Sequence, residues 1–260
     1  MTISKYIEDK NTAGEKVLSV FLTGGYPEVT SFPELALSVL DAGADMLEIG
    51  FPFSDPLAEG PVIQRSSYEA LRNGVSIKTV LDYTCSIKRR SDKPVILMGY
   101  ANPLMKYGVK NFYRDAISSG VSGLILPDIP LDEYDSFYGD VPDALEIILL
   151  TTPSSTVDKI HSIDKRSRGF VYCVSVNGTT GERSMFDEEV LSSLHKTYSL
   201  ISKNKMLVGF GISGADSVRQ VKSCCDGVIV GSAVIKRLMN NGTDYQAALS
   251  FVNELKNSLL

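Results

Sequence analysis

The stretch "MLEIGFPFSDPLAEG", Met46 to Gly60, decides how the chain is to be read. It begins as an apolar, strand-like run and breaks into Pro and Gly, and it carries the acids Glu48, Asp55 and Glu59. An isolated carboxylate inside an apolar strand costs several kcal/mol to bury or is forced to stay protonated. Glu48 near the end of such a strand, with two more acids in the next loop, therefore calls for a fold whose strand ends do chemistry.

Seven further runs of the same kind lie outward from it: "VLSVFLTG" (Val17 to Gly24), "PVILMGY" (Pro94 to Tyr100), "GLILPD" (Gly123 to Asp128), "EIILLTT" (Glu146 to Thr152), "GFVYCVS" (Gly169 to Ser175), "KMLVGFG" (Lys205 to Gly211) and "GVIVGSA" (Gly227 to Ala233). They are continuous rather than alternating, as expected of parallel strands covered on both faces. Amphipathic segments such as "PELALSVLDAG" and "DSVRQVKSC" separate them and are long enough for crossover helices. Eight strand–helix units in 260 residues predict an α/β fold, a (β/α)₈ TIM barrel; a doubly wound open sheet is the other arrangement open to this pattern. No Pro-, Gly- or Ser-rich linker divides the chain, so residues 1–260 are expected to form one barrel domain. The segment "ISKYIED" ahead of the first strand reads as an extra N-terminal helix able to plug the barrel floor.

Composition narrows the function classes. A net charge of −5 offers no basic field for a polyanion, so no nucleic-acid partner is expected. No apolar run approaches the roughly 18 residues needed to cross a bilayer, and the polar N-terminus has no signal-peptide core, which points to a cytoplasmic protein away from membranes. Cys85, Cys173, Cys224 and Cys225 show no CxxC spacing, and His161 and His195 have no second ligand one helical turn away. No metal site is expected.

In a barrel of this kind the active site forms at the C-terminal ends of the strands. Glu48, hemmed in by Leu47, Ile49 and Phe51, should have a raised pKa through desolvation, which suits a general acid–base group near neutral pH. Strand seven ends in "GFGIS" and strand eight in "VGSA", where glycines let backbone N–H groups approach an anion and Ser232 adds a hydroxyl. A helix starting nearby would add its positive end. These features favour a phosphate grip. The stretch "NGTTGERS" (Asn177 to Ser184) is long and polar enough for a lid. Phe21, Met98, Tyr100, Ile125, Tyr172 and Phe210 stand at strand ends; together they suggest a substrate with a flat apolar part and a phosphate tail.

The motifs "LEIGFPFSDPLAEGPVIQ" (Leu47 to Gln64), "FLTGGYP", "GYANPL", "LPDIP", "NGTTG", "VGFGIS" and "VIVGSAVIK" resemble, in order and nearly end to end, the tryptophan synthase alpha chain family. The resemblance implies a lyase that cleaves indole-3-glycerol phosphate to indole and glyceraldehyde 3-phosphate without cofactor. It implies Glu48 as the principal acid–base group and Glu59 as the carboxylate facing the indole N–H. Tyr172 and Thr180 match residues bordering the carboxylates. Gly181, Gly211, Gly231 and Ser232 match the phosphate grip, and Phe21, Tyr100 and Phe210 the indole pocket. The family's chain works docked to a pyridoxal-phosphate beta chain, as an α2β2 heterotetramer, and the loops of Asp55 and Asp128 match those that face it. The family carries Asp at the position of Glu59, one methylene shorter. A free-standing lyase and a weakly active docking partner of the beta chain remain the other readings.

Overall fold

The computed structural model describes residues 1–175, 182–183, 186–209, 211–241 and 244–260. The main sheet is built from β1 (Val17–Thr23), β2 (Met46–Gly50), β3 (Val95–Met98), β4 (Gly123–Ile125), β5 (Glu146–Ile147), β6 (Leu149–Thr151), β7 (Val171–Val174), β9 (Met206–Gly209) and β11 (Gly227–Val230). The short strands β8 (Glu182–Arg183) and β10 (Gly211–Ile212) pair with each other. Every pairing is parallel.

The strand order β5-β4-β3-β2-β1-β11-β9-β7-β6 separates the barrel from the open sheet. Its two edge strands, β5 and β6, are consecutive in the chain and separated only by Ile148. The predicted strand "EIILLTT" is thus one stave broken at Ile148: its first half pairs with β4, its second with β7. The Ile148 N–H still reaches the Leu124 carbonyl at 3.0 Å. Eight staves close on themselves, which a doubly wound sheet cannot do, and the fold is a TIM barrel.

Helices follow the strands on the outside, among them Phe32–Asp41, Pro61–Arg72, Ile77–Lys88, Val109–Ser118, Val157–Arg166, Glu188–Leu200 and Gln246–Leu259. β1, β2, β3, β4, β7, β9 and β11 are buried at every residue, the condition behind their unbroken apolar runs. The extra helix Ile3–Thr12 sits at the floor as expected. Ile3 is fully buried, its N–H donates to Glu146 Oε2, and its side chain lies against Gly123 and Gly169 at the starts of their strands. Among the described residues no helix is long and apolar enough to cross a membrane.

Candidate active site

Register brings the first elements of the site together. Phe21 of β1 stands beside Glu48 of β2, and Glu48 beside Ile96 of β3. Glu48 is fully buried. The Ser19 hydroxyl donates to Glu48 Oε1 at 2.8 Å, while Oε2 has no hydrogen-bond partner among the described residues. Burial pushes the Glu48 carboxyl up to about 8; the charge of Glu59 adds to the rise and the Ser19 hydrogen bond opposes it. The desolvated acid expected at this strand end is therefore present, and a hydroxyl rather than a Lys or Arg meets it.

Glu59 comes from the loop after β2 and is also buried. The loop is tied down from three sides. The Glu59 N–H donates to the Pro56 carbonyl at 3.0 Å, Gln64 Nε2 donates to the Glu59 carbonyl at 2.8 Å, and the Ala58 N–H donates to the Tyr100 hydroxyl at 3.0 Å. Pro61 then opens the next helix, where its missing N–H removes no helical bond. Burial pushes the Glu59 carboxyl up to about 7. Tyr172, from β7 across the barrel, has its phenol pushed far upward by burial and then by the Glu48 and Glu59 charges.

Glycines seat the aromatic walls. A Cβ on Gly209 would stand 2.2 Å from the Tyr172 hydroxyl oxygen, so only Gly lets that ring lie where it does. Gly211 has φ +77°, the left-handed region open to Gly at little cost. Gly231 lies against Phe21, at 3.2 Å from its built Cβ position to Phe21 Cβ. Directly after it Ser232 begins the helix Ser232–Asn241, so the helix start expected beside the phosphate grip is there.

One cavity is lined by Phe21, Glu48, Glu59, Met98, Tyr172, Gly211, Gly231 and Ser232, together with Ile63, Ile212 and Ile229. Carboxylates, an aromatic wall and a helix N-terminus with glycines thus face one space, as the strand-end argument requires.

Several predicted residues stand elsewhere. Tyr100 is not among the lining residues; it stacks on Phe53, with ring centroids 5.4 Å apart, and holds the loop of Glu59 through Ala58. Ile125 is buried without lining the cavity. Asp128 accepts the Ala101 N–H through both carboxylate oxygens, at 3.1 and 3.0 Å, and so caps the helix Ala101–Tyr107. Asp55 is exposed and accepts from the Ser54 hydroxyl. Thr180, Gly181 and Phe210 lie outside the described residues, as does most of the predicted lid Asn177 to Ser184. Among the described residues no three His, Cys, Asp or Glu side chains group as metal ligands.

Sequence reasoning missed Ser19, Ile63, Ile212 and Ile229. The isoleucines give no signal that distinguishes a cavity wall from core. Ser19 does: it is the lone hydroxyl in the interior of "VLSVFL", two residues before Phe21 and so on the same face of the strand.

Known proteins resemble the chain along nearly its whole length. The family model for the tryptophan synthase alpha chain matches residues 7–259. A tryptophan synthase alpha chain of Caldanaerobacter subterraneus subsp. tengcongensis is 40% identical, over 91% of this chain and 90% of its own length. One from Prochlorococcus marinus (strain MIT 9313) is 41% identical, over 99% and 94%. The crystal structure of the tryptophan synthase alpha chain from Legionella pneumophila subsp. pneumophila superposes with a TM-score of 0.90 at 30% identity, covering 100% of this chain and 97% of that one. A structure of Mycobacterium tuberculosis tryptophan synthase gives 0.90 at 30% identity, covering 99% and 97%.

Proposed function

This chain belongs to the tryptophan synthase alpha chain family, and we propose that Glu48 and Glu59 divide the work of its reaction. The reaction is the retro-aldol cleavage of indole-3-glycerol phosphate to indole and glyceraldehyde 3-phosphate, a lyase step of tryptophan biosynthesis. Glu48, protonated near neutral pH because burial disfavours its charge, delivers its proton to C3 of the indole. The ring nitrogen then carries positive charge, which the Glu59 carboxylate, lining the same cavity, stabilises. The Glu48 carboxylate takes the proton of the glycerol 3′-hydroxyl, the C3–C3′ bond breaks, and its electron pair returns to the ring. One proton moves from substrate oxygen to substrate carbon and Glu48 ends as it began. The balance closes with no redox step.

The rest of the cavity holds the substrate. Phe21 and Tyr172 flank the flat ring, with Tyr100 behind the loop of Glu59. Gly211, Gly231 and Ser232 hold the phosphate with backbone N–H groups, a hydroxyl and the start of the helix Ser232–Asn241. The family resemblance assigns Thr180, Gly181 and Phe210 to substrate binding as well. Residues 1–260 act as one domain in the cytoplasm, docked through the loops of Asp55 and Asp128 to a tryptophan synthase beta chain in an α2β2 assembly. Solved relatives described as whole tryptophan synthase support the partner.

The observation that carries the assignment is the fully buried Glu48 with one oxygen unengaged among the described residues, lining the same cavity as Glu59. Glu48→Gln keeps the shape and removes the titrating proton, so turnover of indole-3-glycerol phosphate should fall by about 10²–10⁴-fold. Measured with and without a beta chain, the natural chain should turn over in both cases and faster with it. A Glu48→Gln chain that keeps most of its activity sinks the assignment. A natural chain inert alone but able to activate the beta chain would make it a docking partner instead.

A further inference from the structure

Ser19 is fully buried in the middle of β1, a strand otherwise apolar up to Leu22. A buried hydroxyl needs a hydrogen-bond partner, and this one has found the carboxyl at the centre of the site. In the parallel register Ser19 pairs with Met46, and Phe21 with Glu48. Ser19 therefore sits one pleat below Glu48 on the cavity-facing side of β1, toward the barrel floor. From there its hydroxyl donates to Oε1 at 2.8 Å.

The two oxygens of Glu48 are thereby made unequal. Oε1 is engaged from below, and Oε2 has no partner among the described residues. We propose that Ser19 is a positioning residue for the cleavage, holding Oε1 so that the proton exchanged with the substrate travels through Oε2. This rests on the reading of Glu48 as the acid–base group. Without the anchor the carboxyl could rotate about its last bond, and either oxygen could carry the proton in a wrong direction. Misplacement of a reacting group by about 1 Å is enough to cost around 10²-fold.

The surroundings give Ser19 a distinct electrostatic part as well. Glu59 from the loop after β2 is the titratable group that acts on Glu48, Tyr172 from β7 in turn feels both carboxylates, and Ile96 of β3 pairs beside Glu48. Burial and the Glu59 charge both disfavour the Glu48 carboxylate, while the Ser19 hydrogen bond favours it. Ser19 thus eases the release of the Glu48 proton.

Ser19→Ala tests this in the full chain by two independent readouts. In the first, glutamate carboxyls are labelled with ¹³C, Glu48 is assigned by its loss in Glu48→Gln, and its titration is followed by NMR. The Glu48 step should move up by about one pH unit, a tenfold change in the equilibrium. In the second, turnover is measured against pH: kcat should fall about tenfold or more, KM should stay within about twofold, and the alkaline limb should move up by the same amount. Ser19→Cys, a weaker donor of similar shape, should fall between. An unmoved Glu48 titration overturns the proposal and leaves the Glu48 assignment standing. A titration that moves while kcat and its pH limb do not overturns both. A loss of kcat matched only by a lower Tm, with the pH limb in place, reduces Ser19 to packing and also overturns it.

Discussion

Gly209→Ala is the substitution that most directly asks whether the site depends on where Tyr172 lies. The added Cβ would stand 2.2 Å from the Tyr172 hydroxyl oxygen, 2.5 Å from Cζ and 2.6 Å from Cε1. The hydroxyl must retreat by about 1.2 Å to regain the 3.4 Å of ordinary contact, and the ring it belongs to lines the cavity. The ring is buried and lies within electrostatic reach of both Glu48 and Glu59, so its displacement moves the walls of the reacting site. Overpacking of this kind costs about 1–3 kcal/mol. In a chain of 260 residues that lowers Tm by a few degrees, at roughly 2–4 °C per kcal/mol. A shift of about 1 Å beside the reacting atoms should cost turnover around 10²-fold. The assay is cleavage of indole-3-glycerol phosphate alongside thermal unfolding, run as a double-mutant cycle with Tyr172→Ala. Once the ring is gone, Gly209→Ala should have almost no further effect, a large departure from additivity. Native turnover in Gly209→Ala, or the same loss added on top of Tyr172→Ala, would refute the reasoning.

Two other outcomes follow from the carboxylates. The folded chain keeps the Glu48 proton up to about pH 8 while the unfolded chain loses it near 4.5, so stability drains away as pH rises through that window; Glu48→Gln should therefore match the natural chain most closely at pH 4 and gain on it by a few kcal/mol by pH 8 in urea unfolding, at about 1.4 kcal/mol for each pH unit crossed, and a difference independent of pH would show that Glu48 is not held neutral. Glu59→Asp restores the shorter acid of the family; with the longer arm buried and the loop tied at Pro56, Ala58 and Gln64, the substitution should improve turnover little, and a gain of about a hundredfold would mark Glu59 as a defect and favour the docking-partner reading.

The parts of this fold legible in the sequence are those that a local conflict or a period exposes. Glu48 stands out because a charge in "MLEIGF" contradicts the strand around it, and the contradiction is resolved only at a strand end facing a site. The eight apolar runs mark the staves, because a parallel strand covered on both faces must be apolar throughout. The break at Ile148 is invisible there, since it depends on which neighbour each half of the stave pairs with. Glycines in the sequence suggest turns and the approach of an anion. Gly209 and Gly50 instead leave room for rings on neighbouring strands, Tyr172 and Phe21, and that complementarity exists only once register is known. Asp128 likewise bonds the Ala101 N–H across 27 residues of sequence, beyond the reach of any local capping signal.

On the proposed reading, the placement of the acids also explains why one of them would suffice to move the proton. In this cleavage the proton leaves an oxygen and arrives at a carbon of the same molecule, so the group between them must give and take within one turnover. A carboxyl near its ordinary pKa would be ionised at neutral pH and could take but not give. Burial at the end of β2 supplies the missing proton, and the Ser19 hydroxyl limits how far that effect goes. Glu59 needs the opposite state, charged when the ring nitrogen is positive; burial raises its carboxyl too, and the positive ring is what would favour its charge. Two buried carboxyls this close in effect titrate as a pair, and the charge of Glu59 favours the proton on Glu48. If Glu48 is the proposed acid–base group, the instability it brings to the fold at high pH is thus the same free energy that keeps its proton available to the substrate.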